Sequence, residues 1–518
     1  MATTEAAEPG PGPEWGSAAG EKGLKTGAIG FVSNVVIGVA STAPGYSLAA
    51  SLGFVIGVAG IGVSAPAIMI VAFLPMLFIA SAYYYMNRAD PDCGTTFTWV
   101  TRAMGPYLGW MGGWGIAVSG TIVMANLAEI AGLYTFILFG YDDPATWQIT
   151  VLGVLFIAAM TWICVIGIEL SARTQVGLLG AELITLLLFA VFAIAKVYGG
   201  DAGADAIKPT LEWFNPFAID SVSALVSGVV IAVFIYWGWD STVTVNEEST
   251  DSDTTPGKAA VLSTIILVLI YVIVSVAAQA YNGPEALAVK DDALSELATS
   301  VFGSWDWIVI VAVLTSAAAS CQTTILPNAR TYLSMARQGA FPRRLGEVSP
   351  RYQTPHVATM TFGALAISWY VLLTLISQSI LYDSIAALGL MICFYYGLTG
   401  LACVVFYRRE LTRSIRNFLM VGVAPLVGSA MLFFVFVKSC IDLSDPAEAE
   451  SGDVFGLGVP LVIGLGFLVL GAVTMLVWRV SSSPAFFNRR PEVAVPGFLD
   501  GVTTPAPAPT TDTRDLED

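Results

Sequence analysis

Twelve apolar stretches dominate this 518-residue chain, each long enough to cross a hydrocarbon layer of ~30 Å at ~1.5 Å per helical residue. They begin near Ile29, Gly62, Leu108, Trp147, Thr174, Val222, Ala259, Trp307, Val357, Leu381, Phe418 and Phe455. Lipid offers no partner to a backbone N–H or C=O, so such segments must satisfy their own hydrogen bonds. The expected fold is therefore all-α and polytopic, with twelve transmembrane helices in a lipid bilayer. Only 12% of the residues are charged, roughly half of what a soluble chain carries. The net charge of −16 gathers in tails and loops, including Glu5, Glu8, Glu14 and Glu21 at the start and Asp512, Asp515, Glu517 and Asp518 at the end. It gives no sign of nucleic-acid binding.

The basic residues test the span count. With an internal N-terminus, 19 of the 23 Lys and Arg fall on the inner side, and only Lys196, Lys208, Lys290 and Lys438 fall outside. A missed or extra span would scramble that bias, so the positive-inside rule favours twelve spans with both termini cytoplasmic, in the cell membrane. Composition divides the chain into a disordered N-terminal stretch 1–26, a core of ten helices over 27–409, two further helices over 410–481 and a disordered tail 482–518. The N-terminus lacks a basic segment followed by a short apolar core, so no cleavable signal peptide is expected. The run Asn87 to Gly94 reads as a turn-rich internal loop, and the basic run Arg330 to Tyr352 as a longer one with room for a short interfacial helix. Gly199 to Pro216 reads as an outer lid.

Two spans are interrupted. The first, Ile29 to Val58, contains Ser41-Thr42-Ala43-Pro44-Gly45 at its middle. Proline lacks an N–H and clashes with the preceding turn, and glycine adds backbone freedom. A break at this depth is tolerable only where the freed groups face protein, water or a ligand. A simple proline kink is the plainer reading. The sixth span runs through Tyr236-Trp237-Gly238-Trp239-Asp240-Ser241, where a glycine and an acid follow aromatics. An ionised Asp240 in lipid would be costly and should find a partner or a proton; the plainer reading places it at the inner surface. Breaks in spans 1 and 6 leave five spans per repeat. Five is odd, so the second repeat enters from the opposite side, giving a five-plus-five inverted repeat with a site between two interrupted helices. An exposed helix N-terminal end would attract a carboxylate, and a C-terminal end an ammonium ion. An α-amino acid carries both.

At these residues the chain resembles the amino acid–polyamine–organocation permease superfamily. Tyr85-Met86-Asn87-Arg88, Cys93-Gly94 and Phe97 to Pro106 resemble its loop after helix 2. Tyr236 to Asp240, Asn246-Glu247-Glu248 and Pro256-Gly257-Lys258-Ala259 resemble its helix 6 break and the loop that follows. Asn328-Ala329-Arg330, Ala336 to Pro342 and Thr354-Pro355 resemble its helix 8 run. The resemblance covers about Gly27 to Arg409. It implies a ten-helix inverted-repeat core, alternating access and an amino acid or amine substrate. It also implies that Ser41, Thr42, Ala43, Pro44 and Gly45 contact the substrate carboxylate, that Phe234 closes over the substrate, that Ile235 and Tyr236 offer carbonyls to the amino group, and that Gly238 and Asp240 form the helix 6 break. Ala-Ser-Thr-Ala-Pro-Gly replaces the family's Gly-Ser/Ala-Gly-Ile in helix 1.

Two more acids lie at membrane depth. Glu129 and Glu182 each stand about ten residues from a helix end, roughly 15 Å deep. With Asp240 they are the candidate proton carriers; a protonated carboxyl hydrogen-bonded to backbone, with a structural role, is the alternative. Proton-linked relatives often carry a lysine at the position of Glu182, and an acid there would either cycle its own proton or help to hold a cation. Ser316, Ser320 and Thr323 admit a sodium site, although small polar residues in membrane helices usually serve packing. Asn34 and Asn126 are weaker candidates for polar lining. Six cysteines without a CxxC pair read as core residues, and the single histidine, His356, argues against a His-based metal centre or triad. No cofactor and no metal is called for.

The leading reading is a proton-coupled secondary transporter of an amino acid, with sodium coupling second. A polyamine or cationic amino acid transporter or exchanger is the nearest alternative, and a channel or sensor on the same fold differs in class. No nucleotide-binding motif and no nucleophile–base pair points to ATP drive or an intramembrane enzyme.

Overall fold

A computed structural model of the chain describes residues 22–499 except 142, 289–292, 450, 483 and 495. Most of the two stretches expected to be disordered, and Lys290 and Arg514 of the charge count, lie outside the described residues. The chain is a polytopic all-α membrane protein. Among the described residues, eleven helical segments are long and apolar enough to cross a membrane, and Val222–Ile235 is a shorter apolar helix.

In chain order the helices are α1 (Phe31–Ser41), α2 (Pro44–Gly57), α3 (Ala65–Ala89), α4 (Thr96–Met104), α5 (Pro106–Leu138), α6 (Thr146–Ile166) and α7 (Ile168–Gly199). Then come α8 (Val222–Ile235), α9 (Ser241–Thr244), α10 (Thr255–Asn282), α11 (Pro284–Ala288), α12 (Ala293–Phe302) and α13 (Trp307–Arg337). The last are α14 (His356–Ile376), α15 (Gln378–Phe406), α16 (Ile415–Asn417), α17 (Ala424–Asp442), α18 (Val459–Ser481) and α19 (Pro484–Phe487). A two-residue hairpin, Asp453–Val454 with Leu457–Gly458, precedes α18.

The inner bundle is built on small residues. Helix α5 packs along α13, α10 along α3 and α15 along α17. A Cβ added at Gly120 of α5 would fall 1.9 Å from Asn328 Nδ2, and one at Gly113 would fall 2.8 Å from Met335 Sδ. Small residues let helices meet where no hydrophobic drive between them exists. Gly38 does the same for α1, whose absent Cβ would lie 2.4 Å from Thr242 Cγ2 and 2.6 Å from Ser263 Oγ.

Several elements differ from the sequence reading. The stretch 96–104, read as loop, is a helix with seven buried residues, among them Phe97 and Trp99. Its Trp99 indole donates to Asp90 O at 2.8 Å, which ties it to the end of α3. Two short helices, α11 and α12, follow α10 and pack on α2. Lys22, placed by composition in a solvated stretch, is buried. The described part of the tail carries α19, whose Phe486 and Phe487 are buried, and Gly497 N–H donates to Glu410 Oε1 at 2.5 Å. The Leu211–Phe214 turn buries Trp213 in the run expected as an outer lid.

Candidate functional site: the paired helix breaks

The interruption of the first span is shorter than the five-residue motif. Helix α1 reaches Ser41, and Pro44 is the first residue of α2, a position where the missing N–H costs nothing and the fixed φ favours a helix. Only Thr42 and Ala43 lie between. Ala43 turns the chain at φ 45°, left-handed and strained for a residue with a Cβ. In the sixth span, α8 ends at Ile235, α9 begins at Ser241, and Gly238 sits at φ 120° between them.

The two breaks meet. A Cβ added at Gly238 would lie 2.6 Å from the Ser41 carbonyl oxygen. Ser41 Oγ and Ser241 Oγ share a hydrogen bond of 2.7 Å across the joint. Ser320 of α13 donates to Ser41 O at 3.1 Å, and Tyr271 of α10 donates to Ile235 O at 2.6 Å. Thr42 O accepts from Ser47 Oγ at 2.7 Å.

The amide groups at the start of α2 are all engaged. Pro44 has none. Gly45 N–H donates to Glu182 Oε1 at 2.7 Å, Tyr46 N–H to Ser316 Oγ at 3.2 Å, and Ser47 N–H to Ala43 O at 2.8 Å. The first N–H groups, expected to face a substrate carboxylate, thus meet a carboxylate and a hydroxyl of the chain itself. Glu182 is fully buried, and its other oxygen, Oε2, has no hydrogen-bond partner among the described residues.

Asp240 is dressed differently. Tyr396 donates to its Oδ1 at 2.8 Å, and the hydroxyls of Tyr83 and Tyr395 stand 3.5 Å from Oδ2. Tyr395 also takes a hydrogen bond from the Trp237 indole, and Tyr236 donates to Met69 O at 2.9 Å. Phe234 is half-buried on the last turn of α8. Glu129 lies elsewhere in the bundle's network: its Oε2 accepts from Tyr370 of α14 at 2.5 Å. Asn34 bonds Ser249 Oγ at 3.0 Å and Asn126 bonds Ser384 Oγ at 3.2 Å. Of the three acids, the structure brings Glu182 and Asp240 to the breaks. The tyrosine cage is a feature the sequence reading missed; the Tyr395-Tyr396 pair at mid-span was its only signal.

A second cluster, also unforeseen, closes the bundle at the end carrying the α3–α4 loop. Lys22 Nζ bridges Asp92 at 2.7 Å and Glu247 at 2.6 Å. Arg330 of α13 holds Glu248 at 2.5 Å, and Arg102 reaches Asp90 at 3.1 Å. Ile29 N–H donates to Glu248 O at 3.1 Å, and Thr250 N–H to Ile29 O at 2.9 Å, joining the chain before α1 to the end of the sixth span. Burial alone would raise the Asp92 carboxyl, yet the Lys22 ammonium and hydrogen bonds from Ser334 and Gly94 hold it below its ordinary value. Burial works against the Lys22 charge too, but Asp92, Cys93 and Glu247 raise its pKa well above the usual 10.5. Asp92, Cys93 and Glu247 could together reach a metal ion; the Lys22 ammonium stands among them, 3.5 Å from Cys93 Sγ. A cavity of about 850 Å³ lies nearby, lined by residues including Arg337, Arg343, His356 and Arg489, and none of its lining comes from either break.

Comparison with known proteins fits this architecture. Residues 26–452 match a family model described as amino acid permease. The chain belongs to the amino acid permease family. This permease is 27% identical over 443 residues to an uncharacterized transporter of Mycobacterium tuberculosis, covering 83% of this chain and 89% of that one. It is 23% identical over 442 residues to the branched-chain amino acid permease BcaP of Bacillus subtilis, covering 81% and 88%. It is 23% identical over 409 residues to the low-affinity putrescine importer PlaP of Escherichia coli, covering 78% and 84%. The permease is thus a secondary transporter of small solutes of the amino acid or polyamine type.

Proposed function

We propose that this permease carries an amino acid or its amine across the cytoplasmic membrane by alternating access, coupled to protons, as a member of the amino acid–polyamine–organocation superfamily. The observation that carries the reading is the meeting of two interrupted spans at Gly238 and Ser41. Broken spans expose backbone polarity at depth, where it can hold a small charged solute. Ser41, Thr42, Ala43, Pro44 and Gly45 line one side of the site, and Phe234, Ile235, Tyr236 and Gly238 the other.

In this reading α8 and α9 are the two halves of a twelfth span, and the first ten spans form a five-plus-five inverted repeat with both termini cytoplasmic. The Lys and Arg distribution supports that orientation. Glu182 and Asp240 are the proton carriers, being the acids that touch the breaks. Glu129 serves from α5 through Tyr370. The Lys22 cluster then closes the cytoplasmic end, and opening inward parts Lys22 from Asp92 and Glu247. The names of two relatives, a branched-chain amino acid permease and a putrescine importer, support a substrate bearing an amino group.

Uptake into proteoliposomes tests the reading. An imposed inward proton gradient is expected to concentrate labelled solute, and a protonophore to abolish the accumulation. Accumulation driven by sodium and indifferent to the protonophore would reverse the coupling assignment; simple equilibration under any gradient would remove coupling altogether, as for a channel or an uncoupled carrier.

A further inference from the structure

An α-amino acid brings a carboxylate to a helix N-terminus. Here that place is filled from within. Pro44 removes the first donor of α2, Glu182 Oε1 takes the second at 2.7 Å, and Ser316 takes the third at 3.2 Å. Orphan amides at a helix start are normally met by a cap, water or a ligand, and this start leaves a ligand carboxylate neither Gly45 nor Tyr46. Whenever Glu182 is ionised, an additional carboxylate close to it would also face like charge at short range, which is unfavourable in a site of low dielectric.

The second observation concerns the opposite charge. Glu182 is completely buried, and among the described residues Oε2 has no hydrogen-bond partner. A buried acceptor without a donor is costly, and among the described residues no Lys or Arg pairs with this one: its polar neighbours are the Gly45 amide and the hydroxyl-bearing Ser316 on α13, with Tyr271 on α10. The oxygen is left with room for a hydrogen-bond donor, and a substrate ammonium is one that would also match an ionised carboxylate.

We propose that the permease selects carboxylate-free amines over the parent α-amino acids, Glu182 supplying from the protein the carboxylate that an amino acid would bring, and its Oε2 receiving the substrate ammonium. The inference rests on the break site proposed above and names its substrate class. One carboxyl group then holds in turn the proton of the coupling step and the ammonium of the substrate.

Matched pairs that differ only by the carboxyl group test it: ornithine and putrescine, lysine and cadaverine, leucine and 3-methylbutylamine. Thermal-shift titration of the full chain in detergent reads binding, and competition for uptake in proteoliposomes reads transport. For at least one pair the amine is expected to bind tenfold or more tightly than its amino acid. Glu182→Gln is expected to shrink that ratio at least tenfold, through loss of amine binding. Equal or tighter binding of the amino acids by the unaltered protein overturns the amine preference and leaves the break site standing. The same preference persisting in folded Glu182→Gln removes Glu182 as its cause, and the inference with it. Failure of every pair to bind the folded protein, or binding that survives a Gly238→Trp block of the joint, removes the break site as well.

Discussion

The Lys22 cluster and the joined breaks are both buried and polar, but they solve burial in opposite ways. At the cluster every acid named has a cation: Asp92 and Glu247 share Lys22, Glu248 has Arg330, and Asp90 has Arg102. At the breaks, among the described residues, neither acid is paired with a Lys or Arg; Asp240 is met by tyrosine hydroxyls and Glu182 by a backbone amide. Full ion pairs in a dry interior hold geometry, because losing one partner strands the other. Neutral donors leave a carboxyl free to trade its proton or take a passing cation. On the function proposed above, the contrast separates the part that fixes the closed shape from the part that handles the cargo.

Breaking the pairs should therefore cost the most stability. Lys22→Met leaves Asp92 and Glu247 buried without their cation and is expected to destabilise the protein by about 3–5 kcal/mol, read as a large fall in melting temperature in detergent. Unchanged melting would show that water reaches the cluster and would erase the contrast. Gly238→Ala comes next. Its Cβ must push against the Ser41 carbonyl, and φ 120° disfavours a side chain, so a loss of about 1–3 kcal/mol should accompany near-complete loss of uptake. Asp240→Asn keeps an acceptor for Tyr396. It is expected to cost about 1 kcal/mol and yet to abolish gradient-driven uptake; normal coupled uptake would take Asp240 out of the mechanism.

The smallest effect is one of pH, and it sharpens the account of the cluster. Burial raises Asp90 to about 6 despite Arg102 beside it. A raised carboxyl binds its proton more tightly when folded, so stability should rise as pH falls from about 6 toward the ordinary value. Asp90→Asn should flatten that rise. Asp92 and Lys22 act the other way. The lowered carboxyl contributes stability above 3.8 that fades as pH falls further, and the raised ammonium contributes below 10.5 and fades as pH rises through its folded value.

Punctuation made much of this legible. Pro44 marks its break because proline can start a helix but not continue one, Gly238 marks its own because few residues tolerate φ 120°, and the long apolar runs marked the spans because lipid demands them. Glu182 and Asp240 stood out as acids in apolar surroundings. What they touch did not, since Gly45 lies 137 residues from Glu182 and Tyr396 lies 156 from Asp240. Lys22 was obscured most thoroughly. It sits in an acidic, Gly/Pro-rich stretch, and its partners Asp92 and Glu247 are 70 and 225 residues away. Helices α4 and α12 escaped notice because they lie between spans, where hydropathy has little to say.

Gly238 meets the Ser41 carbonyl group across the joint, and the Ser41–Ser241 hydroxyl pair lies beside that contact. Rotamer hopping, which is fast and constant, can part the hydroxyl pair but not the backbone contact; that needs the helices to move as bodies. A closed permease of this build should be tight to stray ions between turnovers, its leak set by the rarity of whole-helix excursions rather than by side-chain flicker.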